Sequence, residues 1–527
     1  MPEYLAPGVF VEEVSYRAKS IEGVGTSVAG LVGPTRTGPL RGKPELLTSF
    51  ADFVRVYGDA RDLTLGTDTV LNHTAIAAKA FFDGGGSKLF VARIAGGTPE
   101  AATSADNDDL VFTARFPGAQ SNYTLEVHWR SPVTGTDPTD FDLDVISNGE
   151  VIYTYSNISV APTGPRSLGS VLAANPARRS DALSSPVSAT VSADTEAEVV
   201  AALTALFDDD AASAEDNPLT GARYLIHLTG GSDGDAPDAA DYAGITDEVN
   251  GSIGFAALED IEDIAIVLAP AAAADETNHQ AIVVEMQKHC RKMRYRVGIV
   301  DAREGMSVGE VREFRSEFDD SRLALYYPWV VASDPSGQRT TINVPPAGFI
   351  AGVYANTDVQ RGVHKAPANE PVIGALGFAQ DINRFQQELL NPEGINCLRS
   401  FPGRGHRVWG GRTLASDPEW KYVNVRRYFL YLERSIEKST QWVVFEPNGE
   451  RLWSNVRTTV EDFLYNEWFN GRLLGPTPKA AYFVRCDRST MTQNDLDNGR
   501  LVCEIGVAPL KPAEFVIFRI GQKTADA

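Results

Sequence analysis

The chain has 527 residues, 48 Lys and Arg against 70 Asp and Glu, a net charge of −22 and 43% hydrophobic residues. This length suffices for three or four domains with cores of their own, and the apolar content excludes a largely disordered chain. The negative charge argues against nucleic acid as a direct partner, because phosphate contacts require a surplus of Lys and Arg.

The negative charge is concentrated in one stretch. Residues 96–275 hold 6 basic and 30 acidic side chains, a net charge of −24, whereas the remainder has a net charge of +2. An Ala-, Ser-, Thr- and Asp-rich region with few long basic side chains is typical of a solvent-facing surface. The sequence therefore predicts a nearly neutral body formed by both ends and a strongly acidic middle.

The sequence carries no targeting, membrane or metal signal. Its first residues lack the basic and apolar regions of a signal peptide, and the longest apolar run, residues 264–274, is well short of the ~20 residues that cross a bilayer. The four cysteines are far apart and form no ligand or redox pattern, which favours buried, reduced side chains. We therefore expect no cofactor, no metal and no membrane insertion.

Both ends of the chain carry a short apolar strand pattern. The pattern residues are Val9, Phe10, Val11 and Val14 at one end and, after two prolines, Phe515, Val516, Ile517 and Phe518 at the other. An isolated strand needs a partner, either within its own fold or at the sheet edge of another subunit. The sequence thus predicts extended arms over residues 1–20 and 509–527.

Between the arms, strand and helix patterns alternate. Predicted strands lie at residues 26–32, 88–95, 223–228, 264–268, 295–300 and 323–331, and predicted helices at 67–82, 238–258, 276–291 and 308–318. This alternation predicts an α/β fold, mixed with α+β features, whose largely parallel sheet is covered by helices.

The composition changes near residue 96 to Thr, Ala, Asp and Gly with short alternating strands at 123–129 and 151–155. This change predicts a β-rich, acidic inserted domain over residues 96–221. The core then consists of residues 21–95 together with 222–508.

Two amphipathic helices are predicted in the final third, with apolar stripes over residues 425–436 and 453–464. Arg427, Arg434 and Lys438 stand at i, i+7 and i+11 of the first helix, on the side opposite its stripe. They are either a docking face for an acidic partner or a solvated face that pairs with nearby glutamates.

Three patterns resemble chemical sites, and each has a simpler explanation. Ser435 and Lys438 match S-x-x-K but lack the companion S-D-N and K-T-G motifs. Residues 85–88 fail the P-loop spacing and precede a strand, so they indicate the end of a helix. Asp140, Asp142 and Asp144 share one face of a strand and could hold Ca²⁺, but the EF-hand Gly and Glu are missing, which favours a solvated face.

The turn at residues 230–235 follows a predicted strand and opens a helical region. It could bind a ligand at the carboxyl edge of a sheet, or Asp233 could satisfy local amides in a strand-to-helix turn. The residues alone therefore leave two alternatives beside a structural protein: an α/β enzyme or ligand-binding protein that uses this turn, and a surface adhesin whose acidic domain binds Ca²⁺.

Several stretches along the chain carry a recognisable set of motifs: Pro7-Gly8-Val9-Phe10, Phe81-Phe82-Asp83-Gly84-Gly85-Gly86, Tyr327-Pro328-Trp329, Val344-Pro345-Pro346-Ala347-Gly348, Arg361-Gly362-Val363, Asn391-Pro392-Glu393-Gly394 and Trp409-Gly410-Gly411-Arg412. Together these stretches resemble the contractile tail sheath family of bacteriophages, bacteriocins and related injection machines. The resemblance covers both termini and the chain from about Arg223 onward. It does not match the acidic middle, where the family has variable insertions.

The resemblance implies a structural subunit, not an enzyme. Such subunits form a helical tube of stacked hexameric rings around an inner tail tube, which contraction drives through a target envelope. The implied partners are other copies of the chain, the tube protein, and baseplate and tail terminator proteins. The implied location is the virion tail or an injection particle, assembled in the cytoplasm of the host bacterium.

The resemblance also implies a layered arrangement. Residues 380–508 would lie innermost, the insertion would project outward, and both arms would complete a sheet shared with neighbouring subunits. A charged C-terminal helix would face the tube, and the matching candidates are Arg427, Arg434 and Lys438.

Overall fold

The computed structural model describes residues 20–130, 139–208 and 224–519. The chain divides into two compact units: the main unit, Gly25–Arg427, and the terminal unit, Met1–Val24 with Tyr428–Ala527. The predicted arm residues Val9, Phe10, Val11 and Val14 lie outside the described residues. None of the helices in the described ranges has the length and apolar content that a bilayer crossing requires.

The main unit is built around an eight-stranded sheet, here called the central sheet. In spatial order its strands are Gly405–Trp409, Ile395–Phe401, Leu323–Tyr327, Val297–Asp301, Ile266–Leu268, Ala29–Gly33, Leu89–Arg93 and Leu46–Leu47. The six inner strands run parallel, and the two edge strands run antiparallel to their neighbours. The prediction of a mixed α/β fold with a largely parallel sheet is confirmed.

Both faces of the central sheet are buried. Ala29 and Leu31 enter one hydrophobic core and Val32 enters the other, because successive side chains of a strand point to opposite faces. One face is covered by the helices Phe50–Tyr57, His73–Asp83 and Ala347–Gln360. The other is covered by the helices Ala239–Ala243, His279–Met293, Val308–Ser316 and Arg384–Leu390 and the 3₁₀ helices Gly254–Leu258 and Pro270–Ala274.

Two helices on the first face pack at backbone distance. A Cβ atom at Gly348 would lie 2.5 Å from the Cα atom of Ala77, and one at Gly352 would lie 3.0 Å from the Cα atom of Gly84. Only glycine permits this approach. The predicted helix end at residues 84–86 is confirmed, since the helix stops at Asp83 and Gly85 has a φ of 101°.

Two predicted helices are shorter than their periodicity suggests. Residues 67–82 begin with the strand Asp68–Val70, which pairs with the preceding strand Leu63–Leu65, and the helix starts only at His73. In residues 238–258 the helix Ala239–Ala243 ends at Gly244, whose φ is 69°. A left-handed residue interrupts the helical hydrogen bonding that periodicity alone would continue.

The predicted strand 323–331 is two strands. Leu323–Tyr327 belongs to the central sheet, whereas Val330–Ser333 pairs with Thr341–Val344 and Ala375–Phe378 in a separate three-stranded sheet. Pro328 stands between them and has no N–H group to continue the ladder.

A third hydrophobic core draws all its buried members from residues 102–228. It is formed by the strand pair Leu110–Ala114 and Val187–Val191, the four-stranded antiparallel sheet Tyr224–His227, Thr124–Arg130, Asp140–Ser147 and Glu150–Ser159, and the helices Leu168–Val171 and Glu196–Ala205. The helix Arg179–Ser184 and the 3₁₀ helix Ala119–Ser121 also lie in this part of the chain, and Leu183 packs into the core on the first face of the central sheet. This region, here called the insertion, is rich in β-structure. Its sheet includes a strand beyond residue 221, and the predicted domain boundaries stay a prediction.

The terminal unit is mainly helical. Its elements are the helix Val423–Ser439 from Tyr428 onward, the 3₁₀ helix Gln441–Val443, the helices Glu450–Phe469, Pro478–Ala481 and Gln493–Asp497, and the antiparallel strands Tyr482–Arg485 and Glu504–Val507. Both predicted amphipathic helices are present. The second ends before Gly471, whose φ is 72°.

Candidate functional site

The C-terminal segment, residues 514–519, presents four consecutive large apolar side chains to solvent. Phe515, Val516, Ile517 and Phe518 are 69 to 83% exposed, and the segment forms no strand within the described chain. Single exposed apolar residues are common on protein surfaces, but a contiguous run indicates an interaction surface. Their pairing with another subunit stays a prediction at this point.

The terminal unit also contains a sheet whose edges are open except just beyond residue 507, where the amide of Leu474 donates to the carbonyl of Ala508 at 2.9 Å. Tyr482–Arg485 and Glu504–Val507 form a two-stranded sheet, and within the described ranges no third strand pairs with either of them. A two-stranded sheet is marginally stable alone, and its unpaired N–H and C=O groups are a template for a further strand. Phe483 on this sheet is 48% exposed. The sheet is therefore a candidate acceptor for an added strand.

The base of the N-terminal arm is held in the same unit. The amide of Glu22 donates to Ser439 Oγ at 3.3 Å, and the amide of Val24 donates to Ser435 Oγ at 3.1 Å. Ser435 itself donates to the carbonyl of Tyr431 at 2.7 Å. The Ser435 hydroxyl is thus hydrogen-bonded to the backbone on both sides. This favours a structural role over that of the nucleophile in the S-x-x-K pattern.

The three basic residues predicted to share one side of the helix Val423–Ser439 do not form a single exposed face. Arg427 is buried and binds the carboxylate of Asp358 through two hydrogen bonds of 2.9 and 2.6 Å. Its guanidinium group also donates to the carbonyl of Thr26 at 3.0 Å and lies over the ring of Tyr354. The expectation that Arg427 faces away from the core is wrong, because spacing defines the side of a helix but not what packs against that side.

Arg434 and Lys438 lie closer to solvent than Arg427. Arg434 pairs with Glu437 at 2.9 Å, so it follows the local-pairing alternative that the sequence left open. Lys438 is exposed. Contact of these two residues with a tube protein stays a prediction.

A buried carboxylate joins the two long helices of the terminal unit. Glu467 accepts hydrogen bonds from the phenols of Tyr428 at 2.9 Å and Tyr431 at 3.2 Å and from Arg472 Nη1 at 2.7 Å. Burial raises the pKa of both tyrosines, so their hydroxyl groups stay protonated and donate. Sequence periodicity did not identify this network, since it marks Glu467 only as one polar residue in a helix.

We expect Glu467→Ala to lower the free energy of unfolding by about 3 kcal/mol, because it leaves one cation, the buried phenol of Tyr428 and the half-buried phenol of Tyr431 without their acceptor. Urea unfolding of the unassembled subunit measures the effect. Asp462→Ala, an exposed site on the same helix, should change the value by less than about 0.5 kcal/mol. Equal effects of the two substitutions would contradict a stabilising role for the network.

The turn at residues 230–235 uses its carboxylate within the fold. Asp233 is buried and accepts hydrogen bonds from the amides of Thr64 at 3.1 Å and Ala119 at 2.7 Å. The amide of Gly66 donates to the carbonyl of Gly234 at 2.8 Å. The carboxylate is therefore used within the fold, as the alternative to a ligand site expected, but the amides it binds belong to residues distant in sequence and not to the local turn.

The three aspartates of the strand Asp140–Ser147 do not converge on one point. Asp140, Asp142 and Asp144 pair with Arg166, Arg130 and His128, respectively, at 3.5, 2.9 and 3.1 Å. A Ca²⁺ site requires several oxygen ligands around one centre. In the part of the chain that the structure describes, no group of three or more His, Cys, Asp or Glu is placed to hold a metal ion.

Comparison with known protein families matches two adjoining parts of the chain. Residues 236–414 match the phage tail sheath protein central domain, and residues 415–523 match the phage tail sheath C-terminal domain. Together these matches cover more than half of the chain and start after the acidic insertion.

Individual relatives are distant. The tail sheath protein of Vibrio phage KVP40 is 28% identical over 188 residues, which are 35% of this chain and 27% of the relative. The tail sheath protein of Escherichia phage P2 is 23% identical over 290 residues, which are 54% of this chain and 71% of the relative. The match thus spans about a quarter of the Vibrio phage relative and over two thirds of the P2 relative.

A solved structure shares the fold along nearly the whole chain. The helical sheath of the anti-feeding prophage in its contracted state superposes with a TM-score of 0.58 at 23% identity, covering 98% of this chain and 99% of the other. Similarity at this level of identity shows a common fold.

Proposed function

The chain belongs to the phage tail sheath family, whose members are structural proteins, and we propose that it is the subunit of a contractile sheath. In this proposal, copies assemble as stacked hexameric rings around an inner tail tube. Contraction of the assembled sheath then drives the tube through a target envelope.

The observation that carries the proposal is that one unit of the chain contains both a candidate donor strand and a candidate acceptor sheet. The exposed apolar residues Phe515 to Phe518 form the donor, and the open sheet of Tyr482–Arg485 and Glu504–Val507 forms the acceptor. A strand added to an open edge gains main-chain hydrogen bonds and buries its apolar side chains. The donor of one copy is therefore proposed to pair with the sheet of the next copy.

This contact has the symmetry that a polymer requires. Donor and acceptor are different surfaces, so the contact is heterologous and repeats around a ring or along a helix. The predicted N-terminal strand around Val9 to Val14 is proposed as a second donor. The stored free energy for contraction then lies in interfaces formed at assembly, and the arms act as hinges while subunits rotate.

The remaining partners follow from the same proposal. The inner tail tube protein would contact the C-terminal part of the chain, where Arg434 and Lys438 remain candidates, and baseplate and tail terminator proteins would contact the ends of the sheath. The acidic insertion would face outward, because its charge favours solvent. Assembly would take place in the cytoplasm of the host bacterium, and the sheath would form part of a virion tail or injection particle.

Negative-stain electron microscopy of the purified protein tests the proposal directly. We expect helical tubes of uniform diameter with a hollow centre wide enough for an inner tube. Sedimentation should show large particles whose fraction rises with protein concentration. Small discrete particles alone, even at high concentration, would contradict a sheath function.

A further inference from the structure

One edge of the central sheet carries a group of arginines that have no acidic partner among the described residues. The strands Ile395–Phe401 and Gly405–Trp409 form a hairpin at this edge, here called the basic hairpin. Arg399, Arg404 and Arg407 donate their hydrogen bonds only to amide side-chain oxygens and main-chain carbonyls. Across the described residues, no carboxylate lies within ion-pair distance of these three guanidinium groups. The hairpin therefore has three uncompensated positive charges.

Aromatic rings hold two of these arginines in place. Arg404 lies 5.6 Å from the ring centre of Phe401 and 5.5 Å from that of Trp409, and Arg399 lies 5.1 Å from that of Phe401. A guanidinium group stacked on a ring loses less conformational entropy when it binds a partner. The arrangement is that of a prepared binding surface, in contrast to flexible surface lysines.

The hairpin does not offer its backbone to a partner. The amide of Asn369 donates to the carbonyl of Val408 at 2.7 Å, and the amide of Val372 donates to the carbonyl of His406 at 3.0 Å. The outer strand of the sheet is therefore already covered. A partner would be recognised through the arginine side chains, and the chemistry they fit is a group of carboxylates.

The same chain presents such carboxylates on the insertion. Two exposed segments, here called the acidic rim, contain Asp106, Asp108, Asp109, Asp194 and Glu196 and no basic residue. The segments are neighbours, since the amide of Ser192 donates to the carbonyl of Asp109 at 2.8 Å. None of these five carboxylates has an ion-pair partner in the described ranges.

The two charged surfaces belong to opposite sides of the central sheet. The insertion follows the strand Leu89–Arg93, which is six strand positions from Gly405–Trp409. At about 4.8 Å per step these strands are roughly 29 Å apart. No ion pair connects the basic hairpin with the acidic rim within the described chain. Opposite charges joined to strands this far apart in the sheet favour a head-to-tail contact between copies.

We propose that the basic hairpin binds the acidic rim of a second copy of this chain in the assembled sheath. The contact rests on the self-assembly proposed above but uses residues other than the C-terminal segment. Because Arg404 and four of the five rim carboxylates are exposed, and Arg399, Arg407 and Asp109 are half-buried, the contact weakens as ionic strength rises. Its role is to select the neighbour and fix the register in which the apolar arms then pair.

A charge swap tests the contact. Arg404→Glu with Arg407→Glu reverses the charge of these hairpin positions, and Asp106→Lys with Asp108→Lys reverses the charge of these rim positions. Each pair alone is expected to raise the concentration needed for tube formation at low salt by about tenfold or more. A chain with all four substitutions restores complementarity and should assemble within about twofold of the wild type. Lys88→Glu with Arg361→Glu changes the charge equally at other exposed sites and should have little effect.

The outcomes separate this proposal from the sheath function. If the variant with the reversed hairpin charge formed tubes as readily as the wild type, the contact would be overturned and the sheath function would stay intact. Impaired assembly that the four-substitution chain does not restore would also overturn it, because the hairpin would then bind a different acidic partner. A wild-type chain that forms no tubes would overturn both proposals. Circular dichroism melts should show unchanged folding of every variant.

Discussion

Replacing Ile517 with proline is expected to abolish tube formation without unfolding the subunit. The side chain of Ile517 is 79% exposed, so its loss costs little within one chain. In an added strand, however, proline removes a ladder hydrogen bond and prevents regular pairing. The unassembled protein should keep its melting temperature, while sedimentation and negative-stain microscopy should show no polymer.

Matched variants make this result specific. Ile517→Val keeps the β-branched shape and the N–H group and should assemble like the wild type. Deletion of residues 514–527, or of residues 1–15, should leave a folded subunit that does not assemble. Normal tubes from both deletions would contradict strand exchange between subunits.

Arg427→Ala should lower the free energy of unfolding by about 3–5 kcal/mol, because it leaves the carboxylate of Asp358 buried without its cation. The side chains of Arg427 and Asp358 are only 4 and 3% exposed. Arg427→Lys should recover part of the loss, since lysine keeps the charge but cannot form both hydrogen bonds or stack on Tyr354. Urea unfolding of the unassembled subunit gives these values.

Arg434→Ala is the matched control on the same helix. Its ion pair with Glu437 is partly exposed, so the change should cost less than about 1 kcal/mol. If Arg427 instead served mainly as a contact for a tube protein, Arg427→Ala would unfold at the same urea concentration as the wild type. That result would contradict the interior role of Arg427.

The strand and helix periodicities were sufficient to predict the type of fold. Strand patterns such as residues 264–268 and 295–300, separated by helical stretches, indicated a largely parallel sheet with helices on its faces. The glycine run at 84–86 indicated a helix end because glycine readily adopts the backbone conformations that stop a helix. Element boundaries were less accurate where a left-handed glycine such as Gly244 interrupts a helix, because periodicity reports which face is buried and not where hydrogen bonding stops.

The candidate surfaces also differ in whether the sequence was sufficient to identify them. Phe515 to Phe518 could be identified from sequence, since an apolar run beside prolines has no partner nearby in the chain. The open sheet of the terminal unit could not, because its two strands become an acceptor only once the structure shows that, among the described residues, no third strand joins them. Arg399, Arg404 and Arg407 form one surface only after a hairpin brings them together.

The charge distribution shows what the sequence determined and what the tertiary structure determined. From the sequence alone, a net charge of −22 resolves into an acidic stretch of −24 and a nearly neutral remainder, because charge depends only on composition along the chain. Whether a given charge is available depends on packing. Tertiary structure buries Arg427 against Asp358 and leaves the basic hairpin unpaired, since the free energy of a charge depends on its neighbours and its solvent exposure.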